Sequence, residues 1–133
     1  MAASILVVED NQLNRDLVRA VLECRGHEVR EADSVETARE ALAARLPAVV
    51  LLDVQIPGGG GERLLREVRA RPDWARLPVI AVTALAMPTD EARLLALGFD
   101  GYVPKPIDTR AFGPYVESFF TPRTGDGDDR TER

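Results

Sequence analysis

The chain alternates short, continuous apolar runs with longer stretches in which apolar residues recur every three or four positions. The first run, Ser4 to Val8, stops abruptly at Glu9 and Asp10. Unbroken runs of this length suit strands buried on both faces of a parallel sheet. Leu17, Val18, Val21 and Cys24 then fall at helical spacing, and Gly26 ends that helix. His27 to Glu31 alternates with Val29 inward, as expected of a sheet edge. Asp33 or Ser34 caps the next helix, whose stripe is Val35, Ala38, Ala41 and Leu42. After Pro47 a second buried strand ends at Asp53, and Gly58 to Gly61 read as loop. A helix carrying Leu64, Leu65 and Val68 stops by Pro72. Val79 to Val82 is another buried strand, closed by Thr83. Thr89 or Asp90 caps a short helix ending at Gly98, and Gly101 to Val103 is a last strand. Asp108 caps a final helix running toward Phe120.

This order predicts an α/β fold: a five-stranded parallel sheet with helices on both faces and right-handed crossovers. A chain of 133 residues has room for one such domain. Residues 1–120 are assigned to it, and 121–133, polar and without an aliphatic residue, to a disordered tail. Asp and Glu total 22 against 17 for Lys and Arg, a poor match to a nucleic-acid backbone. The single cysteine, Cys24, cannot form an internal disulfide. No signal peptide is apparent, and the longest apolar stretch, Pro47 to Leu52, is too short to span a bilayer. The expectation is a cytoplasmic domain that binds neither membrane nor nucleic acid directly. Met1 and the polar tail favour a complete natural chain. Of the 17 basic residues only Lys105, set between Pro104 and Pro106, is a lysine.

In open parallel sheets functional groups gather beyond the carboxyl ends of the strands. Those positions hold Glu9 and Asp10 after the first strand, Asp53 after the third, Thr83 after the fourth and Lys105 after the fifth. Two carboxylates about 4 Å apart repel by roughly 4 kcal/mol at an effective dielectric of about 20. Three together need a cation, and Mg²⁺ accepts carboxylates, water and phosphate oxygens. A hydroxyl at Thr83 and an ammonium at Lys105 complete a set able to bind a phosphoryl group and spread its charge. Asp53 is then placed as a nucleophile that forms an aspartyl phosphate.

Glu9-Asp10-Asn11, Asp53 with Pro57 and Gly61, Thr83-Ala84 and Lys105-Pro106 together resemble the receiver domain of two-component response regulators. The separations agree, 30 positions from Asp53 to Thr83 and 22 more to Lys105, and the likeness covers residues 4–120. Asp-Val-Gln-Ile-Pro and Ala-Val-Thr-Ala-Leu-Ala-Met look most like single-domain cell-cycle regulators or hybrid-kinase receivers. The resemblance implies the flavodoxin-like (βα)5 fold. It implies phosphorylation of Asp53 by a histidine kinase or histidine phosphotransfer protein. Asp10, Asp53 and the backbone carbonyl of Gln55 would ligate Mg²⁺, with Glu9 acting through water. Thr83 and Lys105 would contact the phosphoryl oxygens, and Lys105-Pro106 would be a cis peptide. Tyr102 would be the aromatic that moves with Thr83 on activation. Output would be a downstream protein bound at the face of the fourth helix, fifth strand and fifth helix, with a dimer as a further candidate assembly. No enzymatic activity is expected beyond self-phosphorylation and self-dephosphorylation.

Three features depart from the family pattern. Gly58, Gly59 and Gly60 replace more varied residues, which predicts a mobile loop. Gly113-Pro114 falls inside the last helix, which would start late, kink or restart at Pro114. No output domain is expected after Phe120. Two other readings share this fold class. An Asp-nucleophile phosphohydrolase of the haloacid-dehalogenase type places a second Asp where Gln55 stands, and a flavin module needs a phosphate loop where Glu9-Asp10-Asn11 stands. His27 is expected as a surface strand residue, Cys24 as a core residue, and Trp74 as a cover for the turn before the fourth strand.

Overall fold

Burial on both faces selects the strands. In the computed structural model, which describes residues 3–84 and 88–119, five strands form one sheet: β1 (Ser4–Val8), β2 (Glu28–Ala32), β3 (Val49–Asp53), β4 (Val79–Thr83) and β5 (Gly101–Pro104). The spatial order is β2-β1-β3-β4-β5 and every pairing is parallel. Every residue of β3 and β4 is buried, which is why their sequences show no polar alternation. β2 lies at an edge with Val29 buried as expected, but the expected alternation is not seen: Val29 and Ala32 are buried toward opposite cores, and Arg30 and Glu31 are both half-buried.

The helices are α1 (Gln12–Cys24), α2 (Val35–Ala44), α3 (Gly60–Ala70), α4 (Pro88–Leu97) and α5 (Thr109–Glu117). Side chains of one strand point alternately to two cores. Leu6, Val8 and Leu52 pack with Val35, Leu64 and Leu94, so α2, α3 and α4 cover one face. Ile5, Val7 and Leu51 pack with Leu22, Phe112 and Val116, so α1 and α5 cover the other. Side-chain caps fix three helix starts. Asn11 accepts from the Asn14 amide, Ser34 and Thr37 form a capping box, and Asp108 accepts from the Arg110 and Ala111 amides. Trp74 is buried in the α2–α4 core just before β4, and the Arg71 guanidinium lies 3.8 Å from its ring centroid. No helix among the described residues is long and apolar enough to cross a membrane.

Several expectations need correction. Gly58 to Gly61 are not all loop: Pro57–Gly59 is a 3₁₀ turn, with Gly58 at φ 79°, and α3 begins at Gly60. α4 begins at Pro88, so Thr89 and Asp90 lie within its first turn instead of capping it. α1 turns Val18 and Leu22 inward and leaves Cys24 exposed. At 100° per residue, Leu17 and Cys24 sit well around the helix from Val18, on the solvent side with Leu13. α5 runs through Gly113-Pro114 without starting late or restarting. Arg25 crosses it at Gly113, where any side chain would collide with the Arg25 guanidinium. α5, expected to run toward Phe120, ends at Glu117; Phe120, the tail 121–133 and Met1 lie outside the described residues, as do Leu85, Ala86 and Met87.

His27, expected at the surface, is buried at the rim where the strands begin. Its Nδ1 accepts from the Ala3 amide at 3.2 Å, so Nε2 carries the proton and donates to Glu117, at 2.8 Å. Arg25 closes the cluster with two bonds to the Glu117 carboxylate, at 2.6 and 2.7 Å. The Arg25 hydrogen bonds, then that from His27, pull the Glu117 carboxyl down from 4.5 to about 2. A pKa lowered by folding stabilises above the unfolded value and loses that contribution as pH falls toward the folded one. At neutral pH a Glu117→Gln variant should be about 1–3 kcal/mol less stable than the parent. The difference should vanish as pH drops from 4.5 toward 2, which denaturant titrations of both proteins across that range will show.

Candidate functional site

Parallel pairing brings the carboxyl ends of all five strands to one rim, and the strand order reverses between β1 and β3. Register sets the neighbours there: Val8 beside Leu52, Asp53 beside Val82, and Thr83 beside Pro104. Glu9 and Asp53 are only 5% and 3% exposed, and Thr83 is fully buried, while Asp10 is exposed. Oxygens of Glu9, Asp10 and Asp53 all lie within 4.8 Å of one another.

Lys105 reaches into this group. Its ammonium is 3.0 Å from Glu9 Oε1 and 3.3 Å from Asp53 Oδ2. Burial works against the charged ammonium, but the Glu9 hydrogen bond and the Asp53 charge outweigh it and hold the Lys105 pKa above its usual value. The Lys105 amide donates to the Thr83 carbonyl at 2.8 Å, and the Lys105-Pro106 peptide is cis. Backbone amides satisfy the remaining oxygens of the buried acids. Asn11 N donates to Glu9 Oε2 at 3.1 Å, and Gln55 N donates to Asp53 Oδ1 at 2.9 Å. One ammonium against three carboxylates leaves an excess of negative charge. The convergent donors are all oxygen, which matches the preference of a hard divalent cation such as Mg²⁺.

Of the residues singled out in the sequence, Glu9, Asp10, Asp53 and Lys105 converge at this point, with Thr83 adjoining through its backbone. Tyr102 lies apart, half-buried on β5 against the core under α4. Burial raises its hydroxyl pKa, with Glu91 and Asp90 of α4 adding to the effect. Three contacts escaped the sequence reading. Arg15 donates to the Glu9 carbonyl at 2.8 Å. The Gln55 side-chain oxygen accepts from the Ala84 amide at 3.1 Å, joining the loops after β3 and β4. The Tyr115 hydroxyl accepts from the Tyr102 amide at 2.9 Å, tying the edge of β5 to α5. The last two join residues 29 and 13 positions apart, and Arg15 bonds a backbone carbonyl 6 positions back; neither helical nor strand periodicity marks such pairs.

Gly61 governs how α3 meets the site. A Cβ there would stand 2.7 Å from Val54 Cα and 2.8 Å from the Asp53 carbonyl oxygen, both backbone atoms that cannot swing aside. Alanine is the better helix former by about 1 kcal/mol, yet Gly61→Ala should lower stability by about 1–3 kcal/mol through overpacking. Chemical denaturation measures this, and shifted Asp53 and Val54 amide resonances should accompany the loss.

The receiver-domain profile of response regulators matches residues 5–116. The polar-differentiation response regulator DivK of Brucella ovis is 34% identical over 119 residues, covering 90% of this chain and 97% of DivK. A solved chain from Chloroflexus aurantiacus, described as a response regulator, superposes with a TM-score of 0.85 at 27% identity, covering 92% of this chain and 100% of that one. The signal receiver domain of a signal transduction histidine kinase from Syntrophus aciditrophicus gives 0.82 at 28% identity, covering 94% and 96%.

Proposed function

The chain belongs to the response-regulator receiver family of two-component signalling, and on that footing we propose that it takes a phosphoryl group onto Asp53 from a phosphohistidine of a partner kinase or phosphotransfer protein. The observation that carries this is the placement of Lys105 between Glu9 and Asp53, with Asp10 in ligating range of both acids. An Asp53 carboxylate oxygen forms the new bond to phosphorus as the bond from phosphorus to the imidazole nitrogen breaks. The imidazole keeps that electron pair. Lys105 neutralises charge on the phosphoryl oxygens, and the Thr83 hydroxyl donates to one of them. Asp10, Asp53 and the Gln55 carbonyl would hold Mg²⁺, with Glu9 acting through water. When bound, the ion supplies the positive charge that three carboxylates and a phosphate require. Leu13, 78% exposed in the first turn of α1, offers an incoming partner an apolar contact beside this rim.

Output follows from the charge the phosphate adds. Drawing Thr83 toward it lets Tyr102 turn inward, altering the face built from α4, β5 and α5. A cavity of about 280 Å³ on that face, lined by Tyr102, Pro104, Pro106, Phe112 and Tyr115, supports a downstream protein partner. The domain is taken to fill residues 1–120 and to act in the cytoplasm, with 121–133 as its tail.

Incubation with acetyl phosphate and Mg²⁺ should add one phosphate that Asp53→Asn abolishes, as read by intact mass; undiminished labelling of that variant would overturn the assignment. Excess chelator should prevent the addition. Lys105→Arg should lower the phosphorylation rate at least tenfold, because a planar guanidinium cannot take the place of a compact ammonium between two carboxylates. Thr83→Ala should accept phosphate but leave the NMR environment of Tyr102 unchanged when beryllofluoride, a phosphoryl mimic, is added.

A further inference from the structure

We infer that Arg15, braced by Glu31, is a positioning residue that sets the peptide between Glu9 and Asp10 and so aims the Asp10 carboxylate at the site. The inference rests on the reading of that site as the cation-binding phosphorylation centre. Among the described residues no hydrogen bond or ion pair holds the Asp10 carboxylate itself. No side-chain partner restrains it, so the placement of its backbone decides which rotamers reach the site. The peptide group is planar, so fixing the Glu9 carbonyl also fixes the Asp10 amide and the Asp10 Cα from which the side chain departs. Arg15 Nη1 donates to that carbonyl at 2.8 Å. On its other side, Arg15 Nε donates to Glu31 Oε1 at 2.9 Å. The Arg15 side chain is only 15% exposed, so both bonds are largely shielded from water.

Glu31 is a firm anchor. It lies on β2 in register with Val7 of β1, and its second oxygen accepts from Arg19. The Arg19 hydrogen bond, partly offset by burial and reinforced by Arg15, holds the Glu31 carboxyl below its usual range. The Glu9 amide is bound as well, to the Ala32 carbonyl at 3.0 Å. The residue just before Asp10 is thus pinned at its amide by the edge strand and at its carbonyl by Arg15. A guanidinium offers donors in a rigid fork, one toward each acceptor, whereas a lysine ammonium is a point charge on a flexible stem. Lysine at this position would keep the charge and lose the bridge.

The test compares the full chain with Arg15→Gln, Arg15→Lys, Glu31→Gln and, as a control, Arg19→Ala, which removes a partner of Glu31 but no contact to Glu9. In metal-free NMR spectra both Arg15 variants should shift or broaden the Asp10 and Asn11 amides, and Arg19→Ala should not. By calorimetry, Arg15→Gln and Arg15→Lys should bind Mg²⁺ about 10-fold more weakly, the usual cost of removing a group that orients a ligand. Glu31→Gln should fall between them and the parent, and Arg19→Ala should stay within about twofold of it. The Mg²⁺ concentration giving half-maximal phosphorylation should rise in the Arg15 variants, while the rate at saturating Mg²⁺ stays near that of the parent. If the Arg15 variants fold, leave the Asp10 and Asn11 amides unmoved and bind Mg²⁺ as the parent does, the inference is wrong. If even the parent binds no Mg²⁺, the proposed cation role fails, and the metal-free spectra still decide whether Arg15 positions Asp10.

Discussion

The contact of one ammonium with two buried carboxylates organises the rim. A parallel sheet sends every strand end the same way, so acids that follow β1 and β3 must meet there. Burying Glu9 and Asp53 without a counter-charge would cost several kcal/mol per ion. Lys105 comes from the far edge of the sheet, touches both acids and binds the Thr83 carbonyl through its own amide. The ends of β1, β3, β4 and β5 are thereby joined through one residue. This gives a physical reason for a lone lysine in a chain that otherwise uses arginine: the gap between Glu9 and Asp53 takes a compact charge.

The same rim depends on close backbone approach. α3 can reach the exit of β3 only because Gly61 presents no side chain to Asp53 and Val54. Gln55, two residues past Asp53, then serves both loops, with its amide on the Asp53 carboxylate and its side chain on the Ala84 amide. The orientation of Asp53 and the position of Ala84 are in this way parts of one hydrogen-bonded unit.

Much of the fold was legible because burial on both faces of a parallel strand leaves an unmistakable apolar run. β1 begins and ends at the predicted residues, and β3 ends at Asp53. Polar residues following β1, β3 and β5 also converge as expected, since the fold itself brings those ends together. What misled was composition without context. Four successive glycines read as loop, yet two of them begin a helix because the packing tolerates nothing larger. Leu17 and Cys24 looked like part of the buried stripe of α1, but the helix has a second apolar side facing solvent with Leu13. Pro114 argued against a continuous α5, and the cross-helix bond from Arg25 to Glu117, invisible in sequence, holds that helix in place. His27 was underestimated for the same reason, since its partners Ala3 and Glu117 lie 24 and 90 positions away.

The two rims of the sheet manage charge in opposite ways. Where the strands begin, Glu117 is matched by Arg25 and capped by a buried His27, so the cluster is balanced and serves to dock α5. Where they end, three carboxylates face one ammonium. Sequences satisfy local rules nearly everywhere and break them mainly at functional positions. The rim left with excess negative charge is therefore where the proposed phosphorylation site lies. Arg15 belongs to that design, because it restrains the backbone ahead of Asp10 through a carbonyl and leaves the carboxylates themselves unneutralised. A guanidinium placed directly on Asp10 would neutralise the excess negative charge that makes the rim a candidate cation site.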